Sequence, residues 1–448
     1  MQIYIPESLQ YLASKLNNTL YLVGGTVRDS LAGLQQSYDF DLASPILADE
    51  FCRTVNECNM QVKALYKHTG TVQFTDGKYT YEYTTFRQDS YRQGNHTPTA
   101  VHFINDIEQD ALRRDFKCNA IYYDILKMEI CDPLGGQEDI AKKIISTTRD
   151  AESVFEEDGL RLMRLARFAA TLGFEADLST IFAAKFNAAR IQQIAPERIF
   201  KELQAILHAD CKHNIADAHY VGLKILEGID ILNYILPELA QGKGMTQRAD
   251  FHAHDVLEHS LRTCKYAHPS IRLAGLLHDI GKPKQKLETG KFHGHEQVGQ
   301  KLVVEILTRL KAPHSLIEEC RQLTAIHMFD LEGTLPTAEI RTFFVRHYPL
   351  LKKLFYLRQA DFSAGKDDLT TCPTVLKWQN ILQEMQVEGV PFSLKDLNID
   401  GNMLKPLVKK GQDIGVLLNK LLAFCTQNGR HNTTAQLLAQ AKIFAKTL

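Results

Sequence analysis

The chain has 448 residues, 44% of them hydrophobic and 23% charged, with a formal net charge of −1. That length accommodates about three domains of ~150 residues, and the near-neutral balance excludes a global basic field, so any polyanion must be held by local patches. Nine scattered cysteines with no C-x-x-C pair read as reduced thiols in a cytoplasmic protein, and no apolar run approaches the ~18 residues of a membrane span.

The chain opens with MQIYIPESLQ, where Pro6 and Glu7 stand in place of the basic-then-apolar pattern of a leader peptide. Up to about residue 145, strand-like runs (TLYLVGG, YDFDLAS, GTVQFTDGKYTYEYTTFR, NAIYYDI) alternate with helical stretches. From about 150 the pattern turns helical and stays so, as in DGLRLMRLARFAATLGF and APERIFKELQAIL. Residues 239–250, LAQGKGMTQRAD, read as a linker; histidines then concentrate between 252 and 327, and Lys- and Gly-punctuated helix follows residue 365. The expected class is α+β: a mixed α/β head with a small sheet over 1–148, then helical modules over 149–245, 246–365 and 366–448.

In LVGGTVRD a strand runs into Gly24–Gly25 and then a helix. Glycines let backbone approach an anion closely, free amides at a helix start donate to phosphate, and Arg28 adds a fixed fork for phosphate oxygens. Downstream, SYDFDL places Asp39 and Asp41 on one strand face by period-2 alternation. Two adjacent carboxylates repel unless a cation lies between them, and hard oxygen ligands suit Mg²⁺. A lone D-x-D is usually a strand end entering a polar turn. Beside the glycine turn and the arginine it suggests a nucleotidyl-transfer centre.

This signature, G-G-x-V-R-D followed by D-x-D, resembles that of the class II (bacterial-type) tRNA nucleotidyltransferase and poly(A) polymerase family, and later motifs follow in that family's order. The resemblance implies a polymerase beta-like head that adds CCA to tRNA 3′ ends from CTP and ATP without a template. Same-family alternatives are poly(A) addition and addition of the terminal A alone. DALRRDFKCNA resembles the segment that recognises ribose and phosphate, with Arg113 and Arg114 for phosphates and Asp115 for a ribose hydroxyl. CDPLGGQEDI resembles the hinge after the head. EEDGLRLMRLARF, read as one helix, puts Asp158, Arg161, Arg164 and Arg167 on one row. It resembles the E-D-x-x-R motif that selects the incoming base: Asp158 accepts from the exocyclic amine of C or A, Arg161 donates to the adjacent ring acceptor, and Arg164 and Arg167 serve the triphosphate or hold that pair. Residues 86–103 match a flexible family loop that leans toward full CCA addition. Glu82 is either a third carboxylate near the metals or an ordinary polar strand residue.

A second set, His259, His278–Asp279 and Asp361, resembles the HD phosphohydrolase superfamily and implies a divalent metal of unassigned identity. His293, His295 and His327 complete a second metal or bind the substrate phosphate. An alternative of a different class follows: a phosphohydrolase or cyclic phosphodiesterase whose head only binds RNA. In the tail, Gly401, Gly411 and Gly415 fall at expected turns, and Lys405, Lys409 and Lys410 either contact tRNA or form a solvated helix face.

Overall fold

The computed structural model describes residues 3–35, 38–90, 100–248, 250, 253–408 and 410–446. The chain divides into two compact units, residues 1–240 with 309–312 and residues 241–308 with 313–448.

The first unit begins with an α/β head. Its strands are β1 (Tyr21–Val23), β2 (Phe40–Ser44), β3 (Gln61–Tyr66), β4 (Thr71–Thr75), β5 (Thr80–Thr85), β6 (Arg87–Ser90), β7 (Ala100–Phe103), β8 (Tyr122–Asp124) and β9 (Glu129–Cys131). Seven of them form one sheet in the order β3-β4-β5-β2-β1-β8-β9. Only the β2–β5 pair in it is parallel, in a register that sets Asp41 opposite Glu82. Alternation turns Phe40, Leu42, Val72, Phe74, Tyr81 and Tyr83 into the core. Helices Glu7–Lys15 and Ala48–Glu57 supply buried Leu9, Leu12, Phe51 and Val55, and Phe51 stacks on Tyr83 with centroids 3.6 Å apart. Each such burial contributes about 1.5–3 kcal/mol. Asp41 and Glu82, offset by one residue from those core positions, take the opposite, exposed face. A second cluster of Val23, Ala43, Phe86, Ala111, Ala120 and Tyr122 packs beside them. The ribbon β6–β7 carries the ends of the expected 86–103 loop; residues 91–99, including the GNHTP sequence, lie outside the described residues.

Beyond the head the unit is helical apart from one feature absent from the sequence expectation: Ile144–Ile145 pairs in parallel with Glu175–Ala176. A second correction concerns EEDGLRLMRLARF, which is two helices, Ala151–Glu157 and Leu160–Leu172, rather than one. Asp158 is extended (φ −142°, ψ 104°) between them. A Cβ on Gly159 would meet the Arg190 carbonyl oxygen at 2.6 Å, so this close packing of backbones admits only glycine.

Among the described residues the second unit is all helical. Helix Val256–Tyr266 packs on Leu351–Lys366 and on Arg272–Leu277, and Trp378 fills a core with Phe344 and Phe355 while its indole N–H donates to Asp330 at 3.0 Å. The tail has its own core of Leu404, Leu417, Leu421 and Leu437. Of the three glycines expected at turns, Gly401 begins helix Gly401–Leu404, Gly411 precedes helix Gln412–Gln427, and Gly415 lies inside that second helix. Lys405 and Lys410 are exposed; Lys409 and His252 fall outside the described residues. No helix among the described residues is long and apolar enough to cross a membrane.

Candidate active site and metal centre

In the head, Asp41 projects from β2 and Asp39 immediately precedes it, both exposed. Gly24 makes the turn after β1 with φ 78° and ψ −137°, a conformation only glycine adopts at little cost. A Cβ there would lie 3.0 Å from the Asp41 Oδ2. The Thr26 hydroxyl donates to the Asp39 carbonyl at 2.6 Å, binding the start of helix Gly25–Leu31 to the strand end. Asp41 keeps contact with solvent, yet the walls around it withdraw enough water to push its carboxyl up to about 6; Arg114 opposes this, while Glu82 and Asp39 add repulsion. A divalent cation would relieve that repulsion, so the donor set fits one. Glu82 lies opposite Asp41 in register and accepts from the Gln73 amide at 3.0 Å.

Behind this face lies a guanidinium network. Asp110, fully buried, accepts from Arg113 at 2.7 Å, Arg114 at 3.1 Å and the Tyr122 hydroxyl at 2.6 Å. Burial alone would raise its carboxyl, but Arg113, Arg114 and Tyr122 outweigh burial and hold it at about 2. Asp115 accepts from Arg164 at 2.7 Å and Asn119 at 3.0 Å; these again overcome burial and hold it at about 2. Arg167 donates to Glu202 at 2.6 Å.

Three of the expected residues meet partners that the sequence did not show. Arg28 is 2% exposed and its guanidinium donates to Asp29 and Asn119, tying its own helix to the network. Asp115 is buried against Arg164, Asn119 and backbone. The guanidinium of Arg161 donates to the Arg113 and Val154 carbonyls and to Glu157, and does not meet the Asp158 carboxylate. Asp158 instead has Arg198 at 3.7 Å. Sequence reasoning passed over Asp110, Arg198 and Glu202, and gave no role to Asn119 or Glu157 although both stand inside the motifs quoted for the resemblance. Asp110 carried a signal of its own, standing three and four residues before Arg113 and Arg114.

In the second unit, His259, His278 and Asp361 bring ligand atoms within 4.8 Å of one another, and Asp279, His295 and His327 do the same. Asp279 joins the two sets: its Oδ2 is 3.2 Å from His278 and 3.5 Å from His259, and its Oδ1 is 3.0 Å from His295 and 3.5 Å from His327. The Nδ1 of His278, His295 and His327 each lies 2.7–2.9 Å from the carbonyl three residues back. A carbonyl only accepts, so each Nδ1 donates and each Nε2 turns inward as a potential ligand. The His295 and His327 Nε2 atoms are 3.2 Å apart, and His278 Nε2 faces the Asp279 and Asp361 carboxylates at 3.2 and 3.6 Å without a well-aligned hydrogen bond to either. Inward-turned imidazole nitrogens gathered around two carboxylates fit divalent ions. Lys282 reaches Asp279 at 2.6 Å and Arg358 reaches Asp361 at 2.8 Å. Burial would lower His278, but Asp279 and Asp361 raise it to about 10. The centre opens on a cavity of about 550 Å³ lined also by Phe292, His293 and Phe362.

Residues 20–146 match the family model "Poly A polymerase head domain", residues 173–243 "Probable RNA and SrmB- binding site of polymerase A", and residues 256–364 "HD domain". The chain is 33% identical over 362 residues to the A-adding tRNA nucleotidyltransferase of Deinococcus radiodurans, covering 77% of this chain and 76% of that one. It is 30% identical over 335 residues to the Multifunctional CCA protein of Tolumonas auensis, covering 71% and 75%. Its fold is similar to the crystal structure of the Bacillus stearothermophilus CCA-adding enzyme in complex with CTP, with a TM-score of 0.68, 21% identity and 99% of each chain covered.

Proposed function

The chain belongs to the tRNA nucleotidyltransferase and poly(A) polymerase family, and from that premise we propose that it adds C, C and A to tRNA 3′ ends from CTP and ATP, releasing pyrophosphate and using no template. The observation that carries this reading is the pair Asp39 and Asp41 held beside the Gly24–Gly25 turn. Asp39 and Asp41 would hold Mg²⁺, with Glu82 as the adjoining carboxylate. When bound, the metal neutralises charge on the phosphates and activates the attacking 3′ hydroxyl. Gly24 and Gly25 offer backbone amides to phosphate oxygens. Arg164 and Arg167 turn toward the triphosphate, and Arg114 supplies positive charge beside Asp41. Asp158 accepts from the exocyclic amine of C or A; U and G present a carbonyl there, which leaves polar groups unpaired. Arg161 locks the break between the two helices so that Asp158 keeps its place.

On this reading residues 1–148 are the catalytic head, 149–245 the neck that reads the nucleotide, 246–365 the HD module and 366–448 a tail that contacts tRNA. A cytoplasmic address fits nine free thiols. The bridged HD cluster favours a second activity, metal-dependent hydrolysis of phosphoesters. Its ligands are His259, His278 and Asp361 on one side, His295 and His327 on the other, and Asp279 between them.

The test uses tRNA transcripts ending before CCA, after C and after CC, supplied with CTP, ATP or both. Completion of all three, stopping after A, supports CCA addition. Extension of only the CC-ended transcript makes the protein an A-adding specialist, an A-ladder makes it a poly(A) polymerase, and no extension leaves the HD module as the main activity. Asp39→Ala abolishes transfer and spares phosphoester hydrolysis.

A further inference from the structure

Three guanidinium groups converge on one aromatic ring. The Cζ of Arg28 lies 4.9 Å from the Phe168 centroid, that of Arg164 5.0 Å and that of Arg167 4.1 Å. All three are within the ~6 Å over which a ring quadrupole attracts a cation. Phe168 is 6% exposed and its ring is met edge-on by that of Phe116 at 5.9 Å. Two of the cations come from the same helix, one and four residues before Phe168; the third comes from the helix that follows the Gly24–Gly25 turn.

Each guanidinium is held twice. Its polar edge is taken by a carboxylate: Arg28 by Asp29, Arg164 by Asp115 and Arg167 by Glu202. The ring supplies the second hold. Carboxylates alone leave an arginine free to pivot about its ion pair, whereas a ring fixes the plane of the fork. Side chains of Arg164 and Arg167 are 34% and 20% exposed, so both keep part of their surface open to solvent. A simple apolar residue would fill the same volume but would pack three like charges with no quadrupole to offset their repulsion.

We propose that Phe168 is a positioning residue for the triphosphate. It holds Arg164 and Arg167 in the plane that receives phosphate oxygens and, through Arg28, couples that plane to the glycine turn. The inference rests on the nucleotidyltransferase reading above. It predicts that Phe168 governs affinity for the triphosphate and not the choice of base.

The test replaces Phe168 with phenylalanines carrying one, two and three ring fluorines, which weaken the quadrupole at nearly constant shape, alongside Phe168→Leu. Affinities for CTP, ATP and inorganic tripolyphosphate are measured by calorimetry with Mg²⁺, with thermal unfolding as the control for fold. The expected result is a Kd that rises in step with fluorination for all three ligands, reaching about tenfold for Phe168→Leu, while preference for CTP over UTP stays constant. Flat affinities across the fluorine series overturn the proposal, even if Phe168→Leu is unstable, because a packing role does not follow ring charge. A rise for CTP and ATP without tripolyphosphate also overturns it, by moving the effect to the base. If the unsubstituted protein binds none of the three ligands, the nucleotidyltransferase reading itself falls, and this result is distinct from a flat series in a protein that binds.

Discussion

Replacing Gly24 with alanine isolates what the turn beside the carboxylates does. At φ 78° and ψ −137° an L side chain is strained, at a cost of about 1–3 kcal/mol. The added Cβ would also sit 3.0 Å from Asp41 Oδ2, so the carboxylate or the turn must shift by a few tenths of an ångström. With about 2 kcal/mol of strain, the unfolding temperature of a unit this size drops by about 4–8 °C. Misplacement at the reacting centre lowers kcat/KM by roughly 10- to 100-fold. Gly33 provides the control, with φ 69° and no atom within 4 Å of an added Cβ. Gly33→Ala therefore incurs a similar backbone cost without touching Asp41. Calorimetric unfolding and steady-state nucleotide addition are measured on both variants. Both lose stability, and only Gly24→Ala loses activity. Full activity in Gly24→Ala, or an equal loss in Gly33→Ala, refutes the reasoning.

Asp158→Ala lowers the preference for CTP and ATP over UTP and GTP by about 10- to 100-fold, read from competing nucleotides in a primer-extension assay, with little change in unfolding temperature. Asp110→Asn removes a carboxylate held at about 2 by Arg113 and Arg114 and lowers stability at pH 7 by roughly 3–5 kcal/mol, as expected for a broken buried pair. Because the folded pKa of Asp110 lies below its unfolded value, its contribution is present above about pH 4 and disappears as pH falls toward 2; urea midpoints of the two proteins therefore converge over that window, and parallel curves would count against the pairing. Asp361→Asn lowers the divalent metal retained after dialysis, measured by elemental analysis, and removes phosphoester hydrolysis while tRNA extension continues at its normal rate.

The head was the most legible part of the molecule because its chemistry is local. Gly24, Gly25, Asp39 and Asp41 fall within eighteen residues, and strand periodicity alone turns Asp41 away from Phe40 and Leu42. The HD ligands were legible by type and order, since histidines beside an apolar helix need partners; that Asp279 would stand between two sets was not, because bridging is a property of three-dimensional placement. Arg161 shows where spacing misleads. Three residues from Asp158, it was assigned to a shared helix face, but the helix is interrupted at extended Asp158, where Gly159 packs against the Arg190 backbone about thirty residues away. The partners of Arg28 and Asp115 were illegible for a related reason: an arginine and an aspartate in a phosphate-binding motif look the same in sequence whether they face the ligand or brace the groups that do. Glu202 carries no motif of its own, and nothing in sequence ties Asn119 and Phe168, each inside a motif, to the arginines they meet; only the fold gathers them.

The parallel pairing of β2 with β5 makes the position of Glu82 a matter of counting. A slip of one residue between these strands would exchange Glu82 for Tyr81 or Tyr83 at the station opposite Asp41 and drive the carboxylate into the aromatic layer against Phe51 and Phe74. A chain that has made this error cannot close its core. The head therefore has no well-packed state with its acidic face assembled wrongly, and folding itself inspects the site before any substrate arrives.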